Sequence, residues 1–316
     1  MRRRLSRARA TPKLNCAPKN TLGMIMASAS FQRMAAALEL RLALGAMLTA
    51  GLLGAAPAAL SSQSPWVSST ESKVRLVSGA VELDGKPHLL AGVQLRMDGG
   101  WKTYWRNPGD SGVPPIFDFS GSKNLKHAEV LYPAPHRFAD AGGTAIGYDE
   151  EVVFPVRVTP EREGEPIELR LALSYGLCKS LCVPNDVSLG LELPPDAASD
   201  PGDAPLLEAS LARVPKASAP GALPRIETVT ADLDGSQPEL LIDALFAPNA
   251  TGTDLFIDAG ETFVPVPKPL GPPASGEQRF AVTFASAKEA AAIKGKPLTF
   301  VLVSDEGSSQ TTWTAQ

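Results

Sequence analysis

From Ile167 to Leu173 every second residue is aliphatic (Ile167, Leu169, Leu171, Leu173), and Glu168, Arg170, Ala172 and Ser174 fill the places between and after them. A period of two marks a strand with one buried face, which requires a second layer to cover it. The strand runs without a break into Tyr175-Gly176-Leu177-Cys178-Lys179-Ser180-Leu181-Cys182-Val183-Pro184. Further strand candidates lie at 73–83, 88–97, 101–106, 127–132, 151–158 and 187–193, separated by Gly, Pro and Asp clusters such as Asn107-Pro108-Gly109-Asp110. Short strands punctuated by turn residues predict an antiparallel sandwich.

The first 59 residues read as targeting rather than fold. Nine basic residues stand against one acid (Glu39), and the apolar run from Leu42 to Leu53 leads into Ala55-Ala56-Pro57-Ala58-Ala59. This is the order of a signal peptide, with cleavage expected after Ala58 or Ala59. A start at Met24, Met26 or Met34 would give the basic region an ordinary length and leave Cys16 outside the product. The alternative is an N-terminal membrane anchor, disfavoured because the apolar run falls short of the roughly 20 residues a span needs.

Removing that segment leaves 21 basic against 33 acidic residues, a net charge of −12. An acidic surface argues against nucleic acid and against anionic lipid surfaces as partners. Export would place the two remaining cysteines in a disulfide-permissive compartment, the periplasm in a Gram-negative bacterium.

Composition divides the chain into an n-region and signal peptide (1–59), an N-terminal arm (60–72), a first β domain (73–195), a Pro/Ala-rich linker (196–225) with a short helix at 205–214, and a β-rich accessory domain (226–316). The last has strand candidates at 226–233, 239–246, 253–258, 278–285, 297–304 and 309–315 and a short helix at 287–294, with no chemical constellation of its own.

Chemistry therefore concentrates on Cys178 and Cys182. Closing a loop of about five residues removes only about 2 kcal/mol of unfolded-state freedom, whereas closing about 100 residues removes nearly 5 kcal/mol. Strained or exposed disulfides are the labile ones. A redox role thus outranks a staple. Two thiolates also suit Cu(I), and the spacing is similar to that of Sco-type copper chaperones, but Val183 separates the pair from Pro184. The histidines (His88, His127, His136) show no ligand spacing to the cysteines, and alternating strands do not open a thioredoxin fold. No Gly-x-Ser-x-Gly elbow, His-Glu-x-x-His or phosphate-cradling loop is present.

Three runs in order, Trp101-Lys102-Thr103-Tyr104-Trp105-Arg106-Asn107-Pro108-Gly109-Asp110-Ser111-Gly112, Gly147-Tyr148-Asp149-Glu150-Glu151-Val152-Val153-Phe154-Pro155-Val156 and Cys178-Lys179-Ser180-Leu181-Cys182-Val183-Pro184, resemble the periplasmic N-terminal domain of DsbD-type protein-disulfide reductases, particularly the ScsB-like branch. The resemblance implies an all-β fold, two immunoglobulin-like β-sandwich domains in tandem after a cleaved signal segment. It further implies that Cys178 and Cys182 cycle between dithiol and disulfide with no bound cofactor and no metal. Their partners would be a membrane-embedded thiol reductase (CcdA/DsbD-like) and periplasmic thioredoxin-like or disulfide proteins. Longer members carry their own membrane and thioredoxin-like domains, so here electrons would come from a separate protein. Spacing leaves open which cysteine attacks first.

The family also implies a cap over the cysteines, for which Phe138, Asp140 and Tyr148 in the Gly-rich segment are the candidates. Tyr148, and more so Tyr175, also read as ordinary packing aromatics. Lys179 is placed to lower a neighbouring thiolate's pKa. Trp101, Tyr104 and Trp105 are expected to fill a core or cover a sheet edge, with Arg106 and Asp110 paired across the turn.

Overall fold

Alternating apolar residues become strands throughout the computed structural model, which describes residues 61–83, 85–140, 143–196, 202–272 and 274–315. The leader proposed for 1–59 lies outside the described residues. In chain order the first half comprises β1 (Val67–Ser69), β2 (Ser72–Leu83), β3 (Lys86–Met97), β4 (Lys102–Gly109), β5 (Ile116–Asp118), β6 (Leu125–Val130), β7 (His136–Asp140), β8 (Gly143–Asp149), β9 (Glu151–Pro160), β10 (Ile167–Cys178) and β11 (Cys182–Leu193). One sheet runs β1-β2-β3-β9-β6. The other runs β11-β10-β4-β8-β7, with β5 paired to β10.

Between these sheets lies a core that takes one parity from each strand. β10 contributes Leu169, Leu171, Leu173, Tyr175 and Leu177, β4 contributes Trp105, and β8 contributes Ile146 and Tyr148. The opposite parity of the second sheet, including Cys178, Tyr104 and Ala145, forms a separate small cluster. Because side chains alternate across a pleated strand, this cluster lies on the outer face of that sheet.

The segment read as a linker is partly built into the first domain. Its helix, Ala204–Ala212, puts the fully buried Leu207 among Val77, Val81, Leu90 and Val153, and Ser210 Oγ donates to the Val153 carbonyl at 2.5 Å. Burying one Leu side chain is worth about 2 kcal/mol.

The second half adds β12 (Lys216–Ala217), β13 (Arg225–Asp232), β14 (Glu239–Leu245), β15 (Asp254–Asp258), β16 (Lys268–Pro269), β17 (Glu277–Thr283), β18 (Pro297–Ser304) and β19 (Gly307–Thr314), with a helix at Ala287–Ala291. Its sheets, β12-β19-β18-β15 and β13-β14-β17-β16, close over a second core that includes Leu240, Ile242, Phe280, Val282, Leu298 and Phe300. The described molecule is thus all-β, with two sandwiches in tandem.

The two halves are joined by packing as well as by chain. Phe256, Val266 and Val301 of the second half belong to the first core, and the Phe256 ring lies 6.1 Å from that of Trp105. Around this contact Arg106 Nε lies 2.9 Å from Asp258 Oδ2, Asn107 Nδ2 donates to the Ile257 carbonyl at 2.6 Å, and Arg137 pairs with Asp254 at 2.7 Å. Arg106 therefore forms its ion pair across the domains rather than with Asp110, whose carboxylate instead accepts from the Thr144 N–H at 2.9 Å.

Candidate functional site

Cys178 ends β10 and Cys182 begins β11. The ladder between these strands runs from Ile167 opposite Leu193 to Cys178 opposite Cys182, so the cysteines are the last pair before the turn. Their Cα atoms are 4.1 Å apart and their sulfurs are bonded. The pair is asymmetric: Cys178 is 6 % exposed, whereas Cys182 is exposed. Leu181, between them, is 69 % exposed.

Register explains what surrounds the sulfurs. Cys178 lies opposite Lys102, Lys102 opposite Asp149 and Tyr104 opposite Gly147, while His136 lies opposite Gly147 and Phe138 opposite Ala145. All these positions share the outer face. Tyr104 is fully buried there beside Ala145 and Cys178, and Phe138 packs against the group, its ring 6.5 Å from that of Tyr104. The Lys102 ammonium sits 4.6 Å over the Phe138 ring, an attraction between the cation and the negative ring face. The Tyr104 hydroxyl lies 3.4 Å from Cys182 Sγ, and since a disulfide sulfur carries no proton, the tyrosine donates.

Two glycines permit this crowding. A Cβ at Gly147 would stand 1.9 Å from the Thr103 carbonyl oxygen, and one at Gly176 would stand 3.1 Å from Val113 Cβ and 3.3 Å from Tyr104 Cε2. Only a bare backbone at Gly147 lets β8 approach β4 so closely, and at Gly176 it spares the Val113 loop and Tyr104 a tight contact at the end of β10.

The residues singled out from the sequence separate into two groups. Phe138 is at the disulfide, and Asp140 closes the same strand opposite Gly143. Tyr148 and Tyr175 do not line the pair, because their parity points inward. Tyr148 donates to the Pro133 carbonyl at 2.8 Å, Tyr175 shares a 2.8 Å hydrogen bond with Ser72, and both belong to the main core. Burial pushes both phenols above their ordinary pKa. The Lys179 ammonium donates to the Gly99 carbonyl at 2.9 Å. Of the histidines, His88 and His127 lie on β3 and β6 in the opposite sheet. His136 lies on β7, 5.7 Å from the Phe138 ring and 3.6 Å from Asp149 Oδ1. Burial lowers its pKa, with Asp149 opposing and Lys102 and Arg213 assisting.

Tyr104 and Lys102 were not singled out as site residues. Their signal was the parity of β4: with Trp105 inward, Lys102 and Tyr104 face outward beside any residue paired with that strand's start.

The disulfide thus lies on the outer face at the end of the β10–β11 ladder, joining a buried cysteine to an exposed one. Residues 80–193 match the family described as thiol:disulfide interchange protein DsbD, N-terminal, and this part of the chain is a DsbD-type N-terminal domain. The described fold is similar to the crystal structure of the N-terminal periplasmic domain of ScsB from Proteus mirabilis, with a TM-score of 0.61 and 24 % identity over 81 % of this chain and 98 % of that one. That coverage reaches well beyond the first sandwich. No curated protein sequence matches the chain.

Proposed function

We propose that the protein is a periplasmic thiol–disulfide exchange relay, taking electrons from a membrane-embedded thiol reductase and passing them to periplasmic disulfide proteins through Cys178 and Cys182. The observation that carries this reading is the asymmetry of the pair, with Cys182 exposed and Cys178 beneath Tyr104 and Phe138. A staple has little to do here, because the β10–β11 ladder already holds the two strands in register up to the cysteines and so short a loop adds little.

Exchange proceeds by thiolate attack in line with the sulfur–sulfur bond. A donor thiolate attacks the exposed Cys182 Sγ, the disulfide breaks, and the bond's electron pair leaves on Cys178. A second donor thiolate then attacks the donor sulfur of the mixed disulfide, releasing Cys182 as thiolate and leaving the donor oxidised. In delivery, the Cys182 thiolate attacks a substrate disulfide and frees one substrate sulfur, which takes up a proton. Cys178 then attacks Cys182 Sγ, frees the second substrate sulfur and restores the disulfide. Two electrons move in each half. The Tyr104 hydroxyl stabilises the thiolate on Cys182, and Phe138 shields Cys178 from small oxidants and reductants until a partner displaces it.

The deciding experiment is the redox equilibrium of the pair in the purified mature protein, read by thiol alkylation and mass spectrometry across a glutathione or dithiothreitol series. The expected midpoint is about −200 to −270 mV, the range of exchange proteins. Resistance to reduction until the protein unfolds would turn the pair into a structural disulfide and the protein into a binding module. In single-cysteine variants, C178S is expected to capture a thioredoxin-like partner through Cys182, with C182S capturing far less.

A further inference from the structure

The strand that carries Phe138 is held from two directions. β7 is the edge strand of its sheet, paired only with β8, from His136 opposite Gly147 to Asp140 opposite Gly143. Phe138 points outward to the disulfide cluster, so its neighbour Arg137 points the other way, toward the second domain. There its guanidinium grips Asp254 in a two-pronged bond, Nε to Oδ2 at 2.9 Å and Nη2 to Oδ1 at 2.7 Å. Both side chains are mostly buried, and the guanidinium also lies 5.9 Å from the Phe256 ring centre. Asp254 is itself fixed, because Oδ1 also accepts from the Leu255 N–H at 2.8 Å. Phe256, two residues on, is buried in the first domain's core.

We propose that Arg137 and Asp254 fasten the second domain to the cap strand, so that the accessory domain sets how readily Phe138 lifts from Cys178. The regulatory meaning rests on the reading of the pair as an exchanging disulfide; the mechanical link does not. An edge strand held by a single short ladder opens locally more easily than the sheet interior. A paired, planar Arg–carboxylate fork is the contact best suited to hold it at fixed orientation. Arg137 is thus a positioning residue: it touches neither sulfur, and acts through the strand that bears Phe138.

The test uses the mature protein with Cys182→Ser, in which Cys178 is a single covered thiol and its alkylation by iodoacetamide reads the cover directly, with no disulfide required. Adding D254N or R137Q is expected to speed alkylation roughly three- to tenfold, as expected when a local opening equilibrium is eased. The double substitution should do no more than the larger single one, since both break the same link. D258N removes the neighbouring ion pair with Arg106, leaves β7 untouched, and should change the rate by less than about twofold. Unchanged rates in both D254N and R137Q would overturn the proposal. So would an equal acceleration by D258N, which would mean that any loosening of the interface suffices. Failure of the exchange reading would show separately, as a wild-type disulfide that resists reduction until unfolding.

Discussion

The Tyr104 hydroxyl lies 3.4 Å from Cys182 Sγ on a side chain with no exposed surface, so the open sulfur of the pair has a fixed donor beside it. A hydrogen bond to an ionised acceptor contributes about 1.5 kcal/mol or more. Tyr104→Phe should therefore disfavour the Cys182 thiolate relative to the thiol. In the C178S background this would appear as a displaced pH profile of alkylation and about threefold slower alkylation near pH 7, because the more basic thiolate is also the better nucleophile. A profile identical to that of the parent would remove Tyr104 from the chemistry.

Phe138 is half-buried against Tyr104, Ala145 and Cys178. Phe138→Ala is expected to speed reduction of the disulfide by dithiothreitol severalfold while lowering stability by only about 1–2 kcal/mol, because the ring lies outside the main core and was never fully removed from water. Stopped-time alkylation and urea unfolding of the same preparation separate the two effects.

His136 provides a pH test with a definite sign. Its folded pKa lies below the ordinary 6.5, chiefly through burial, so below pH 6.5 the unfolded chain binds the proton more readily than the folded one. The stability tied to its neutral form is fully present above pH 6.5 and falls away as the pH drops toward the lowered folded value. His136→Gln should flatten that part of the wild-type dependence of Tm on pH between about 7 and 5. Parallel curves for the two proteins would count against it.

Leu207 tests whether the helix belongs to the first domain's structure. Leu207→Ala should cost about 2–5 kcal/mol in urea unfolding, as for other fully buried leucines, and leave the midpoint potential of the cysteine pair unchanged. A cost under about 1 kcal/mol would return the helix to the status of a loose connector.

How much of this was legible beforehand depended on periodicity. The run from Ile167 to Ser174 announced β10, and the predicted stretches at 73–83, 88–97, 151–158 and 187–193 fall within β2, β3, β9 and β11. β7 and β8 were missed because Ala141-Gly142-Gly143 and the small residues around it carry no apolar alternation. β12 and β16 are two residues each, too short to show a period. The disulfide's neighbourhood was less legible still. Tyr148 read as a cap candidate because it is aromatic and near Phe138 in sequence, yet parity sends it to the core. Tyr104 read as packing, yet parity sends it to the sulfur. Residue type left Tyr148 between cap and core, and only side-chain direction tells which tyrosine faces the sulfur.

The pleat at the end of β10 sends Leu177 into the sandwich and Cys178 out of it. One peptide unit thus separates a side chain locked in the core from a sulfur held outside it. The sheet acts as a partition between them, so the proposed exchange would change bonding on one side while the interior on the other stays as it is.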